Sequence, residues 1–89
     1  RSSISHQITY FQSEGGFDAV YVTAHAGCPW TVSGYPAWIS VNSGSSGLGN
    51  GTVSYSVAEN TGPAPRLGPM AIAGKPFRVY QYGGYSYED

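Results

Sequence analysis

Apolar and polar residues alternate along several stretches of the chain. In residues 52–60, Val53, Tyr55 and Val57 fall on one face and small, mostly polar residues fall on the other. Residues 17–25 alternate in the same way, with valine and alanine on one face. A period of two indicates strands that bury one face. The same reading predicts further strands over residues 6–12, 28–33, 38–41, 67–73 and 77–82.

Glycine and proline separate the predicted strands, and the longest connection is the Gly/Ser-rich loop over residues 42–51. This loop ends in Asn50-Gly51, a dipeptide typical of hairpin turns because both residues tolerate positive φ. Pro69 indicates that its own strand lies at an edge or carries a bulge, because proline has no N–H to donate to a sheet. The turns therefore indicate a series of short antiparallel strands.

These patterns together predict an all-β protein, an immunoglobulin-like β-sandwich of about seven strands. Trp30 and Trp38 are expected in its core, because large aromatic side chains dominate the packing of small domains. An up-and-down barrel is the alternative fold.

The chain has 89 residues and a mass of 9.4 kDa, which allows one domain. We assign residues 1–5 to a linker, 6–83 to the domain and 84–89 to a polar, tyrosine-rich tail. Charged residues make up 10% and the net charge is −1, whereas nucleic-acid binding needs a dense basic surface. No apolar run is long enough to span a membrane. The single cysteine, Cys28, cannot form an internal disulfide, and Arg1 in place of methionine indicates a processed or partial chain.

The sequence contains few features that indicate catalysis. A glycosidase needs two carboxylates that face each other across a cleft, and a sandwich of this size offers little cleft. His6 and His25 come without a serine in a strained Gly-x-Ser-x-Gly turn, so serine chemistry is not indicated either. We therefore predict that the protein is not an enzyme. The carboxylates considered are Glu14, Asp18, Glu59, Glu88 and Asp89.

Metal and phosphate sites are not predicted. His25 and Cys28 have the spacing of two zinc ligands, but zinc needs four ligands, or three and a water. The glycine-rich loop over residues 44–51 lacks the Lys-Ser/Thr ending and the following helix of a phosphate-binding loop. We expect no metal and no cofactor.

Surface tyrosines are the main candidates for binding. Arg78, Tyr80 and Tyr82 share one face of the last predicted strand, and residues two apart on a strand lie about 6.5–7 Å apart, close to the size of a sugar residue. We expect a binding platform for a glycan or a protein neighbour, because tyrosine is also enriched at protein interfaces. The residues that could extend the platform are Tyr35, Tyr85 and Tyr87.

An ordered set of short motifs resembles the BACON domain, a small immunoglobulin-like module of bacterial and phage proteins. The motifs run from about residue 11 to 83 in the order of that family: Gly15-Gly16 before the strand containing Val20-x-Val22-Thr23-Ala24, Gly27-Cys28-Pro29-Trp30-Thr31-Val32, Pro36-Ala37-Trp38-Ile39, Gly49-Asn50-Gly51-Thr52-Val53-x-Tyr55-x-Val57, Asn60 with Arg66, and Phe77-x-Val79-x-Gln81. The chain departs from the family in two ways. It has no second cysteine near the first strand, and residues 63–69 are unusually rich in proline.

The resemblance implies a non-catalytic role. We expect a structural or adhesive module of a secreted or cell-surface bacterial or phage protein, acting as a spacer, a presentation domain or a building block of a fibre. Its partners would be neighbouring domains or like subunits, without nucleic acid and without membrane insertion. The alternative is a carbohydrate-binding module that recognises a polysaccharide or a mucin-type glycan through surface tyrosines, because these modules often lie beside carbohydrate-active enzymes.

Overall fold

The computed structural model describes residues 2–84 and confirms an all-β sandwich of two packed sheets. In that stretch the chain forms nine strands and no helix, and hence no helix that could cross a membrane. The strands are β1 (Ser2–Ile4), β2 (Ile8–Phe11), β3 (Gly16–Ala24), β4 (Pro29–Ser33), β5 (Ile39–Ser43), β6 (Ser46–Leu48), β7 (Gly51–Val57), β8 (Arg66–Ile72) and β9 (Lys75–Gln81).

The two sheets share the chain in an interleaved order. The four-stranded sheet has the order β1-β3-β7-β5, and the five-stranded sheet has the order β2-β9-β8-β4-β6. The paired strands run antiparallel with one exception, the parallel pair β2–β9, in which Ile8 lies opposite Arg78 and Phe11 lies opposite Gln81. The chain therefore crosses between the sheets immediately after β1, so β1 and β2 lie in different sheets.

Two of the nine strands lie in segments that the sequence assigned to connections. The prediction of a linker over residues 1–5 is wrong for residues 2–4, which pair with β3 as the edge strand β1. The prediction of a hairpin connection over residues 42–51 is also wrong, because residues 46–48 pair with β4 as β6. Asn50-Gly51 then leads to β7 in the other sheet, so this dipeptide connects two sheets instead of closing a hairpin.

The tight hairpin of the structure joins β8 and β9. Ala73 and Gly74 both have positive φ, 53° and 76°, which is the conformation of a two-residue hairpin turn. Pro69 lies in β8, where the pairing with β4 has already ended at Ala71. The N–H groups of alternate residues point to the same side of a strand, and Ala73 donates its N–H toward β4. An N–H at position 69 would therefore also point toward the β4 side, where no carbonyl of β4 remains to accept it. Pro69 thus lies at a local edge, which is why a proline is tolerated there.

Alternate residues of both sheets meet in one hydrophobic core. Its fully buried members include Val20, Val53, Tyr55, Ile72, Phe77 and Val79. The Tyr55 ring lies edge-on to both Phe11 and Phe77, with centroids 6.0 Å apart in each pair. Edge-to-face pairs of this kind contribute about 0.5–1.5 kcal/mol beyond their buried area.

The two tryptophans have different environments. Trp30 is buried, as expected, and donates its indole N–H to the carbonyl of Gly49 at 2.7 Å. A Cβ at Gly47 would lie 2.5 Å from the Trp30 ring, and one at Gly51 would lie 2.6 Å from it, so this ring requires glycine on both sides. Trp38 is only half-buried, which differs from the expectation, and its ring covers the guanidinium of Arg66 at 4.2 Å.

The first and last described residues lie at opposite ends of the sandwich. At one end, which we call the N-terminal pole, Ser2 pairs with Ala24 and donates its hydroxyl to the carbonyl of Ala73. At the other end, the C-terminal pole, the N–H of Gly84 donates to the carbonyl of Gly62 at 2.7 Å. A chain that follows this path enters at one pole and leaves at the other.

A polar network closes the C-terminal pole. The fully buried side-chain amide of Gln81 donates to the carbonyls of Gln12, Ser13 and Ala58 at 2.9–3.2 Å. Its oxygen accepts the Arg66 Nε–H at 2.8 Å. This network, which we call the Gln81 lock, joins the ends of β2, β7, β8 and β9, and it satisfies a buried amide that would otherwise be costly.

Candidate functional site

Exposed aromatic and aliphatic side chains cover part of the outer surface of the five-stranded sheet. We call this surface the tyrosine face. Arg78 and Leu67 are both exposed on it, and Tyr10 is 59% and Tyr82 43% exposed. Its residues are Ile8, Tyr10, Leu67, Arg78, Tyr80 and Tyr82.

Three tyrosine rings meet at the centre of this face. The ring centroids of Tyr10 and Tyr80 lie 5.6 Å apart, those of Tyr80 and Tyr82 5.3 Å apart, and those of Tyr10 and Tyr82 6.4 Å apart. The Tyr10 and Tyr82 planes are within 22° of parallel, while Tyr80 and Tyr82 meet at 82°. The cluster is therefore a continuous aromatic surface and not three separate side chains.

The parallel pair β2–β9 brings these rings together. Tyr10 lies directly opposite Tyr80 in the register of the two strands. Tyr82 follows the last residue of β9, and both of its backbone groups are held. Its N–H donates to the carbonyl of Phe11 at 3.0 Å, and its carbonyl accepts the side-chain amide of Asn60 at 3.1 Å. The backbone of the cluster is thus fixed on both strands.

The chemistry available on the tyrosine face is that of recognition. It offers ring faces, phenolic hydroxyls and the five N–H donors of the Arg78 guanidinium. Such a surface can stack on the C–H face of a sugar ring or pack against another protein, because tyrosine has an apolar body and a polar tip. Neither a carboxylate pair nor a histidine lies on this face in residues 2–84.

The structure places the other predicted platform residues differently. Tyr35, 38% exposed, follows the end of β4 toward the C-terminal pole and makes no ring contact with the cluster. Tyr85 and Tyr87 lie outside the described residues. Of the six predicted residues, Arg78, Tyr80 and Tyr82 share one surface.

Sequence reasoning missed Tyr10. The alternation of Ile8 and Tyr10 with Thr9 and Phe11 could have placed Tyr10 on the outer face of its strand. Its position beside Tyr80 depends on the parallel pairing of β2 with β9, which no local pattern predicts.

The acidic candidates lie apart from the tyrosine face. Glu14 and Glu59 are exposed on neighbouring loops at the C-terminal pole, where the N–H of Asn60 donates to the carbonyl of Ser13. Asp18 lies on β3 and its carboxylate accepts the Thr9 hydroxyl at 3.2 Å.

A buried hydroxyl lies near the Thr9–Asp18 pair. The Tyr55 side chain is fully buried and its hydroxyl has no hydrogen-bond partner among the described residues. Burial, and then the negative charge of Asp18, raise the pKa of Tyr55 well above its usual value. This phenol therefore stays neutral at any physiological pH.

His25 and Cys28 do not form part of a larger group of potential metal ligands in the described residues. Cys28 is a free, half-buried thiol, and residues 2–84 contain no group of three histidine, cysteine or acidic side chains that could hold a metal ion. His25 lines a shallow groove at the N-terminal pole together with Ser2, Ser3, Thr23, Ala24 and Lys75.

Comparison with known proteins adds a fold relative. No protein-family model matches the chain, and no similar sequence is found among curated proteins. Among solved structures, the chain is similar to part of a GH5 xyloglucanase of Bacteroides ovatus that was determined in complex with an XXXG heptasaccharide. The sequence identity is 16%, the TM-score is 0.82, and the match covers 99% of this chain and 20% of that one. At this identity, the likeness establishes a shared fold alone, and the chain spans a fifth of the enzyme's length.

Proposed function

We propose that this protein is a non-catalytic structural module of a secreted or cell-surface bacterial or phage protein, of the BACON type. It acts as a spacer that holds or presents neighbouring parts of a larger chain or fibre. The observation that supports this proposal most strongly is the path of the chain, which enters at the N-terminal pole and leaves at the C-terminal pole. A folded module with this path sets a fixed distance between whatever precedes and follows it.

The spacer role is tested by placing the 89-residue chain between two fluorescent proteins. The matched control joins the same two proteins with a Gly/Ser linker of 89 residues, which behaves as a flexible coil. We expect energy transfer that is narrowly distributed and constant with urea up to the unfolding midpoint, where it changes cooperatively. A broad distribution that changes gradually with urea, as in the control, would contradict the proposal.

A second candidate function rests on the tyrosine face. Three contiguous rings beside a guanidinium favour a carbohydrate-binding module, because ring faces stack on sugars and Arg78 can donate to hydroxyls. The related fold within a xyloglucanase makes xyloglucan a reasonable first glycan to assay. A mucin-type glycan is the second.

Glycan binding is tested by the retardation of the native protein in gels that contain xyloglucan or mucin. If the candidate is right, Tyr10→Ala with Tyr82→Ala abolishes the retardation, while Tyr21→Ala leaves it unchanged. Tyr21 is a matched control because it is 59% exposed, like Tyr10, but lies on the other sheet. Equal mobility of the wild type with and without glycan would remove this candidate.

A further inference from the structure

We infer that this module bears tensile load, and that the parallel pair β2–β9 is the clamp that resists it. The inference rests on the proposed function, because a spacer is stretched only when both of its ends are attached. It goes further because it names the element that sets the mechanical strength.

The direction of the load follows from the positions of the chain ends. Tension applied to the two ends first loads β1, which pairs with β3 over three residues, and through β1 it pulls β2 toward the N-terminal pole while it pulls β9 toward the C-terminal pole. Because β2 and β9 are parallel and in register, this tension slides one strand along the other. The ladder hydrogen bonds lie across the strands, so sliding strains all of them together instead of opening them one at a time.

The clamp has hydrogen bonds at both of its ends. Arg78 donates its N–H to the carbonyl of Gln7 at 3.0 Å, and Tyr82 donates its N–H to the carbonyl of Phe11 at 3.0 Å. Between them, four residue pairs of β2 and β9 lie in register. When the strands slide by one residue, all of these bonds must break at the same time.

Side chains reinforce the clamp at its C-terminal end. The Gln81 amide on β9 donates to the carbonyls of Gln12 and Ser13, which follow β2 directly. The Asn60 amide holds the carbonyl of Tyr82. Sliding β2 toward the N-terminal pole breaks the two Gln81 bonds in the same step as the ladder.

The tyrosine rings add a second link between the two strands on the outer surface. Tyr10 on β2 contacts both Tyr80 and Tyr82, so a displacement of one residue, about 3.3 Å, separates rings that are in contact at rest. On the inner surface, Phe11 is packed edge-on against Tyr55. Both surfaces of β2 near its C-terminal end are therefore anchored to the domain.

Single-molecule force spectroscopy tests the clamp by changing the pulling direction. In the first geometry, handles are attached to the two ends of the full chain, which slides β2 along β9. In the second, handles are attached at residue 14 (Glu14→Cys, with Cys28→Ser) and at the C-terminal end, which peels the two strands apart from the C-terminal pole. The Glu14→Cys/Cys28→Ser protein is pulled in both geometries, so both measurements start from one native state.

We expect an unfolding force roughly two- to fourfold higher in the first geometry, because the four pairs in register are loaded together in sliding and one after another in peeling. Equal forces in the two geometries, or a lower force through the chain ends, would overturn the clamp. Either result leaves the spacing measured by energy transfer unaffected, so failure of the clamp is distinguishable from failure of the spacer role.

A pair of tyrosine variants tests the reinforcement. Tyr10→Ala removes a ring that contacts β9, and Tyr21→Ala removes an equally exposed ring on the other sheet. With pulling through the chain ends, we expect Tyr10→Ala to lower the unfolding force and Tyr21→Ala to leave it within error of wild type. An equal effect of the two substitutions would refute the assignment of the tyrosine cluster to the clamp.

Discussion

Replacing Gln81 by leucine is the most severe test of how the C-terminal pole is held together. Leucine keeps most of the volume of glutamine but has no polar atoms. The substitution removes four donor–acceptor contacts: the two Nε2 hydrogens of Gln81 are shared among the carbonyls of Gln12, Ser13 and Ala58, and the side-chain oxygen accepts from Arg66. All four bonds lie at a side chain with no exposed surface, so water cannot replace them in the folded protein.

The magnitude follows from what remains after the substitution. Each of the three carbonyls keeps one other partner: Gly15 N–H for Gln12, Asn60 N–H for Ser13, and the Arg66 guanidinium for Ala58. Each of the two amide hydrogens is therefore worth about 1 kcal/mol, and the Arg66 Nε–H left without its partner costs about 1.5 kcal/mol. Burying the added apolar surface of leucine returns about 1–1.5 kcal/mol. We expect a net loss of about 2 kcal/mol in the free energy of unfolding.

Urea unfolding at 25 °C, followed by the fluorescence of Trp30 and Trp38, measures this loss. The matched control is Gln7→Leu, because the side chain of Gln7 is exposed and only its backbone carbonyl is bonded. The control should change the stability by less than about 0.5 kcal/mol. If Gln81→Leu lost less than about 1 kcal/mol, the lock would not be what holds the pole together.

Two further predictions concern the core. Tyr55→Phe should leave stability at pH 7 within about 1 kcal/mol of wild type, because the hydroxyl that it removes has no partner. Because the pKa of Tyr55 is raised in the folded protein, this phenol ionises first in the unfolded chain, so wild-type stability should fall as the pH rises above about 10. Tyr55→Phe should remove that part of the fall. Urea unfolding at pH 7 and 10.5 measures both effects, and a loss of stability above about 2 kcal/mol at pH 7 would contradict the absence of a partner for the hydroxyl. Gly47→Ala should lower the thermal midpoint, because the added methyl group displaces the Trp30 ring at a cost of about 1–3 kcal/mol. An unchanged midpoint together with an unchanged near-UV circular dichroism signal of Trp30 would contradict this close packing.

The sequence was most informative where one face of a strand is buried. Alternation located β3, β7 and β9 to within three residues at each end, because each of them packs valine or an aromatic residue into the core at alternate positions. It missed β1 and β6, which have three residues each and consist largely of serine, glycine and single aliphatic residues. Their strand conformation comes from pairing with β3 and β4, which is a tertiary effect that a local pattern does not encode.

The candidate site also contains residues that a local pattern predicts and a residue that only tertiary pairing places there. The sequence placed Arg78, Tyr80 and Tyr82 on one surface, because they follow the period of a single strand. It did not find Tyr10, which lies 70 residues before Tyr80 in the chain and reaches it through a parallel pairing. Trp38 was expected in the core from its residue type, but it is only half-buried at the edge of the core, with the charged group of Arg66 over its ring.

Both the spacer and the clamp depend on the path of the chain from one pole of the sandwich to the other, and a single distance measures that path. Spin labels at Ser3→Cys and Tyr82→Cys, in a Cys28→Ser background, mark the two poles at exposed positions. Seven or eight residues of β3 separate the poles along the strands, which is about 25 Å, and the thickness of the sandwich increases the label separation to about 30 Å or more. We predict one narrow distance distribution near that value by double electron–electron resonance. A distribution centred below about 20 Å would place both ends at one pole and contradict the spacer and the clamp alike.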